Sequence, residues 1–235
     1  MSQRAGGVSV GPWDSLNLGG AVGDEAAAVA ENRARFTAVL GARPVWLHQV
    51  HGARVVRLRG DAADFPTPAA DAAWTSDTGL ACAVLVADCL PVLMALRDGS
   101  AVAAAHAGWR GLAAGVLETT VQALCAGTGT SAGDIVAWLG PCIGPRQFEV
   151  GADVLRACGA EDSAAAAACF RFRPRADGSP RWLADLPRLA RARLQGVGVA
   201  LVSESGACTV EDASSFFSFR RDGITGRHAA AVWRG

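Results

Sequence analysis

Residues 101–127 read AVAAAHAGWRGLAAGVLETTVQALCAG, and the way this stretch divides decides the fold class. The apolar run around His106 is a short buried strand, Gly108 and Gly111 bound a turn, and the remainder places apolar residues at helical spacing over about four turns. Residues 135–159, IVAWLGPCIGPRQFEVGADVLRACG, repeat the order of strand, Gly/Pro turn and helix. Upstream, Gly79 opens the apolar run LACAVLVADCLPVLMALRD at 80–98. The Asp-Cys-Leu-Pro within it must interrupt regular pairing, with Pro91 stopping the strand. Strands and helices mixed in this way predict an α/β or α+β chain with a mixed sheet.

Working outward, GPWDSLNLGGAVGDEAAAVAENRARFTAVLG at 11–41 begins as a Gly-rich turn and becomes helical from about Asp24. The Asp24 carboxylate is expected to cap that helix and Gly41 to end it. RPVWLHQVHGARVVRLRGD at 43–61 alternates apolar and polar residues and is rich in Val, which predicts two strands with His48 and His51 at the break between them. FPTPAADAAWTSD at 65–77 reads as a loop bordering a site. Residues 172–199, FRPRADGSPRWLADLPRLARARLQGVGV, predict an exposed arm and then a helix. SSFFSFRRDGITGRHAAAVWRG at 214–235 predicts two strand-like pieces around a Gly-containing turn. No tandem repeat, heptad, low-complexity tail or linker divides the sequence, so 1–235 is expected to form a single domain.

Hydrophobic residues make up 51% and charged residues 19%, with 22 acidic side chains against 22 basic ones. That balance argues against disorder and removes the basic footprint a nucleic-acid partner needs. Every basic residue is Arg, and Lys and Tyr are absent, a composition bias that weakens inference from any isolated Arg. No apolar stretch approaches the roughly 20 residues that cross a bilayer, and MSQRAGGVSVGPWDS lacks the apolar core of a signal peptide. The expectation is a cytoplasmic protein without a membrane partner. Seven irregularly spaced Cys residues fit reduced thiols better than a disulfide framework, which makes any Cys in a special neighbourhood a candidate ligand or nucleophile.

Of the four His residues, His48, His51 and His106 stand at strand ends or beside Gly, where side chains reach a cleft. Cys89, in ADCLP, occupies an equivalent position with Asp88 beside the thiol. One thiolate and two imidazoles suit zinc and leave an open position for water or substrate. The spacing is not that of a zinc finger, since no CxxC or HxxxH pair is present and the ligands come from separate segments. HAGWRG can present backbone N–H groups and the Arg110 guanidinium to an anion; the plainer reading is a tight turn with Arg110 on the surface. Cys142 has no local base and reads as a packing residue, and His228 as a satisfied or surface group.

LHQVHG, ADCLPVLM, AAHAGWRGLAAGV and LGPCIGPRQFEVG, with SLNLG, AENR and FFSFRRDGITGR in the same order, resemble the laccase-domain (multicopper polyphenol oxidase-like) family of purine nucleoside phosphorylases, which includes the peptidoglycan editing factor. The resemblance covers nearly the whole chain. It implies an α/β/β/α layered sandwich with mixed sheets, and a Zn2+ ion held by His51, Cys89 and His106, of which Cys89 and His106 are also catalytic; His48 is not a primary ligand. The activity it implies is phosphorolysis of adenosine, inosine, guanosine and methylthioadenosine, with deamination of adenosine; a monomer or weak homodimer is expected. Purine nucleosides and inorganic phosphate are then the partners, with Arg110 holding phosphate and Asn17 and Gln49 bonding sugar hydroxyls or base edges. True multicopper oxidation is stoichiometrically excluded, because its centres need many His ligands and this chain has four His.

Two other readings stay open at this level. One is a metal-free Cys-His hydrolase acting on peptidoglycan precursors, with Cys89 as nucleophile and His106 as base. The other is a non-enzymatic binding protein whose zinc is closed by a fourth ligand, Cys142 or His228.

Overall fold

The computed structural model describes residues 1–60 and 68–235. In chain order the elements are α1 (Ala26–Leu40), β1 (Arg43–Val45), β2 (Val55–Arg57), β3 (Ala72–Thr75), β4 (Leu80–Val86), β5 (Leu90–Leu96), β6 (Val102–Ala107), α2 (Trp109–Ala113) and α3 (Val116–Thr128). They continue with β7 (Ile135–Leu139), β8 (Glu149–Val150), α4 (Ala152–Ala157), α5 (Ala164–Ala167), β9 (Phe170–Phe172), β10 (Trp182–Ala184), α6 (Leu186–Gly196), β11 (Leu201–Glu204), α7 (Phe219–Asp222) and β12 (His228–Trp233).

Two mixed sheets stack face to face. The small sheet has the order β1-β4-β12 and the large one β11-β7-β5-β6-β3-β2; a further antiparallel sheet, β8-β10-β9, adds Val150 and Ala184 to the core on the helical side of the large sheet. Strand alternation assigns the faces. In β6, Val102 and Ala104 point into the core between the sheets with Cys82 and Val84 of β4, while Ala103, Ala105 and Ala107 pack outward with Leu112, Leu117 and Leu189 of α2, α3 and α6. On the opposite side, Phe36 and Leu40 of α1 cover Leu85, Ala229 and Ala231. The layers are therefore α1, small sheet, large sheet and the α2–α3–α6 group, the expected α/β/β/α order.

Several local expectations change. Glu25, not Asp24, precedes α1, with no side-chain cap; the Asp24 carboxylate instead accepts from Ser9 (2.6 Å) and Asn17 (2.8 Å). The expected helix of about four turns is α3, thirteen residues long; the Gly-bounded turn before it is itself a short helix, α2, and Gly115, at a left-handed φ of 85°, separates the two. Pro91 does not stop pairing. It lies inside β5 opposite His106, and its carbonyl accepts from Gly140; the break is at 87–89, where the chain leaves one sheet for the other. After β7 a two-residue strand intervenes before a helix of only six residues. The exposed arm is the β9–β10 hairpin, and α6 follows as predicted. Of the 65–77 loop, Phe65–Thr67 lie outside the described residues, and the remainder runs into β3. The first strand-like piece near the C-terminus is the one-turn α7, because the Ser218 hydroxyl accepts from Arg221 N–H and caps a helix.

His228 holds that C-terminal segment in place. It is fully buried, flanked by the Phe216 and Phe217 rings, and its Nε2 accepts the Phe217 N–H at 2.6 Å, which requires Nε2 to be unprotonated. Burial, with the nearby positive charge of Arg4, lowers its pKa from 6.5 to about 3. A folded pKa below the unfolded one means that the unfolded chain takes up the proton first. This contribution to stability is complete above about pH 6.5 and is lost as pH falls toward 3. Urea midpoints of wild type and His228→Asn should therefore diverge in slope between pH 6.5 and 5, wild type losing on the order of 1.5 kcal/mol more than the variant. Parallel pH profiles would show that the ring is not held neutral.

Candidate metal centre

The site lies at the end of the gap between the two sheets. His106 is the penultimate residue of β6, in phase with Val102 and Ala104, so its ring enters that gap. Cys89 sits in the turn where β4 hands over to β5, and His51 in the loop joining β1 to β2. The ligand atoms of His51, Cys89 and His106 all lie within 4.8 Å of one another.

Asp71, just before β3, organises both histidines. Its Oδ1 accepts from His51 N–H (2.9 Å) and pairs with His106 Nδ1 (2.9 Å), while Oδ2 accepts from Val50 N–H (3.1 Å) and Gly52 N–H (2.7 Å). Those contacts hold His51 at a left-handed φ of 61°, a conformation that needs outside support in a non-glycine residue. With Nδ1 of His106 engaged, Nε2 is the atom left to face the cluster. Carboxylate-oriented imidazoles are the usual outer partners of a metal ligand.

Asp88 does the same for the cysteine. At φ 94°, its carboxylate accepts from the Thr209 hydroxyl (2.6 Å) and the Arg220 N–H (2.6 Å), and its carbonyl from Ile143 N–H (2.9 Å). The Cys89 turn is thereby fixed to three distant segments.

The donor set is S, N, N, suited to a borderline-soft ion. Cys89 Sγ lies 4.0 Å from His51 Nε2, and all three ligand atoms lie within 4.8 Å of one another, against about 3.6 Å for two ligands of a tetrahedral zinc. Side-chain rotations of about an ångström would bring them onto one ion, and the residues fit it. Burial by itself would push the Cys89 thiol up, but the His106 and His51 rings outweigh it and hold the thiol below its ordinary range. In the same pair, burial opposes a charge on His106, and Cys89 and Asp71 together raise its pKa. The Asp71 carboxyl is held low because its hydrogen bonds overcome burial.

Gly108 has an ordinary backbone, φ −68°, so turn formation does not explain it. A Cβ there would stand 2.7 Å from Cys89 Sγ, and the absence of a side chain lets the strand end approach the thiol. Gly111 likewise lies close to the carbonyls of His106 and Gly52.

The cluster opens into a cleft of about 630 Å³ whose walls include Gly19, Gly20, Arg33, His48, Gln49, Phe219 and Arg227. His48 is thus a wall residue outside the cluster. Gln49 reaches the cleft, but its amide is paired with the backbone N–H and carbonyl of Leu85 at 2.7 and 2.8 Å. Asn17 is fully buried; it donates to Gly19 O and Asp24 and accepts from the N–H groups of Gly19 and Arg227. In this arrangement it shapes the cleft wall and has no free group for a ligand. Arg110 is exposed, lies over its neighbour Trp109 at 4.2 Å and does not line the cleft, which corrects the expected phosphate contact. Cys142 lines a separate cleft with Cys208, and His228 is committed to Phe217, so neither joins the cluster.

Asp71, Arg33, Phe219 and Arg227 escaped the reading of the sequence. A lone Asp before an apolar strand carries no local signal, and in a chain whose basic residues are all Arg no single arginine stands out by type.

A family model described as multi-copper polyphenol oxidoreductase laccase matches residues 1–235. The chain is 49% identical to the purine nucleoside phosphorylase of Pseudomonas aeruginosa and 49% identical to purine nucleoside phosphorylase YfiH of Escherichia coli, in each case over 99% of this chain and 91% of the relative. Among solved structures, a Neisseria meningitidis protein described by the family model DUF152 superposes with a TM-score of 0.90 at 45% identity, covering 99% of this chain and 91% of that one. YlmD from Geobacillus stearothermophilus superposes with a TM-score of 0.87 at 33% identity, covering 99% and 89%. No helix among the described residues is long and apolar enough to cross a membrane.

Proposed function

The chain belongs to the multi-copper polyphenol oxidoreductase laccase family, and from that premise we propose that it is a zinc-dependent purine nucleoside phosphorylase, active on adenosine, inosine, guanosine and methylthioadenosine and also deaminating adenosine. The observation that carries this reading is the S, N, N cluster of His51, Cys89 and His106, which lines a cleft large enough for a nucleoside. The relatives' names supply the substrate class. The proposal takes residues 1–235 as one domain, a cytoplasmic monomer or weak homodimer with no nucleic-acid or membrane partner.

His51, Cys89 and His106 would hold the ion, which when bound supplies Lewis-acid polarisation of an oxygen nucleophile. The protein's own groups do the positioning. Asp71 fixes the imidazole that faces the cleft, and Phe219, 58% exposed on the cleft wall, offers an aromatic face against which a purine can stack. Asn17 keeps the wall in shape from behind, and Gln49 forms part of it with its amide held by Leu85. Phosphorolysis then requires phosphate and the anomeric carbon to be held in one near-attack geometry.

The test is metal content together with chromatography of adenosine incubated with and without inorganic phosphate. About one zinc per chain, and adenine release that requires phosphate and stops on chelation, is the expected result. Release indifferent to phosphate would overturn the phosphorylase assignment.

A second reading has one observation in its favour. The two imidazoles hold the Cys89 thiol below its ordinary range, as a Cys-His hydrolase acting on peptidoglycan precursors would need. It predicts rapid alkylation of Cys89 in zinc-free protein and turnover that survives a strong chelator.

A further inference from the structure

Fourteen of the 22 arginines have no carboxylate oxygen within 4.0 Å among the described residues, and four of these, Arg4, Arg33, Arg227 and Arg234, are half-buried. Of the four, Arg33 and Arg227 line the cleft that holds the metal cluster. Charged groups withdrawn from water are normally paired, and burial lowers the pKa of each.

Their placement is fixed by other contacts. Arg33 Nε donates to Leu18 O at 2.9 Å, and its guanidinium lies 4.5 Å from the Trp46 ring centre. Arg227 Nη1 donates to Thr225 O and Gly226 O, both at 3.0 Å. Two consecutive glycines bring the side chains to one wall. A Cβ on Gly19 would stand 2.6 Å from Arg227 Cγ, and one on Gly20 would stand 3.6 Å from Arg33 Nη2. Nη2 of each arginine remains without a protein acceptor among the described residues.

We propose that Arg33 and Arg227, set on either side of the Gly19–Gly20 turn, form the phosphate subsite of this cleft. The inference rests on the phosphorolysis reading and assigns the role that Arg110 cannot fill from the surface. In the reaction an oxygen of hydrogen phosphate forms a bond to the anomeric carbon and the glycosidic C–N bond breaks. The base leaves with that electron pair and takes the phosphate's proton, giving free purine and the sugar 1-phosphate. The guanidiniums bind the phosphate dianion throughout.

The ligand chemistry is a tetrahedral phosphate dianion, which free phosphate or a nucleotide's 5′-phosphate can supply. Calorimetric titration of the metal-loaded protein with inorganic phosphate, and separately with adenosine 5′-monophosphate, separates the two sources. In Arg33→Met and Arg227→Met, inorganic phosphate should bind about 10- to 100-fold more weakly, the value of a lost charge-assisted hydrogen bond. Arg33→Lys and Arg227→Lys should recover part of that loss, and guard against a misfolded Met variant. The KM for phosphate should rise in step while the KM for adenosine stays within about twofold. Unchanged phosphate affinity in both Met variants overturns the proposal, as does arginine-dependent binding of the monophosphate alone. Arginine-dependent phosphate binding without base release keeps the subsite and removes the phosphorylase reading; phosphate-dependent release with an unchanged phosphate KM does the reverse.

Discussion

Replacing Cys89 with alanine is expected to take metal content from about one ion per chain to near zero and to lower phosphate-dependent base release by far more than about a hundredfold. That floor comes from outer partners, whose loss alone costs about 10- to 100-fold in metal affinity or activity; Cys89 contributes a ligand atom itself. Two imidazoles left without the thiolate make a poor zinc site, since catalytic sites rely on three protein ligands. The fold should survive, because Cys89 lies in the turn between β4 and β5 and is not part of the apolar core. The turn is held by Asp88 through Thr209, Arg220 and Ile143, none of which involves the sulfur. Metal analysis, circular dichroism and the nucleoside assay on one preparation suffice. A variant that retains zinc and turnover would remove the cluster from the chemistry.

What could be read in advance was whatever depends on local pattern. The buried strand carrying His106, the handover at 87–89 and the loop carrying His48 and His51 are all visible as apolar runs interrupted by Gly, Pro or Asp. The layered order came from the resemblance, since periodicity does not say which strand lies beside which. Pro91 is compatible with pairing because a proline at the second position of a strand loses only a donor, and its carbonyl still pairs with Gly140. The split of α2 from α3 turned on the φ of one glycine. Side-chain roles were harder still. Arg110 looked like a phosphate ligand from its motif, yet the first turn of α2 points it to solvent over Trp109. Arg33 and Arg227, 194 positions apart by their numbering, reach one cleft wall only because α1 and the start of β12 flank the same glycine turn.

Asp71 is the residue whose loss should most sharply separate structure from chemistry. Each carboxylate oxygen accepts two N–H groups, His51 and His106 at Oδ1, Val50 and Gly52 at Oδ2. In Asp71→Asn the amide has one acceptor end only, so either orientation sets an NH2 against two donors. If the NH2 faces His106, that ring loses its fixed tautomer and direction; if it faces Val50 and Gly52, the backbone turn that holds His51 at positive φ loses its support. Either way a metal ligand is released, and zinc affinity is expected to fall about 10- to 100-fold; where the buried His106 donor is the one left unpaired, unfolding stability falls by about 1–3 kcal/mol as well. A residue with a purely structural role would lower the unfolding midpoint and leave affinity intact. Competition with a chromogenic zinc chelator, read beside a urea titration, distinguishes the two, and wild-type zinc affinity in Asp71→Asn would mean that the histidines hold their positions without it.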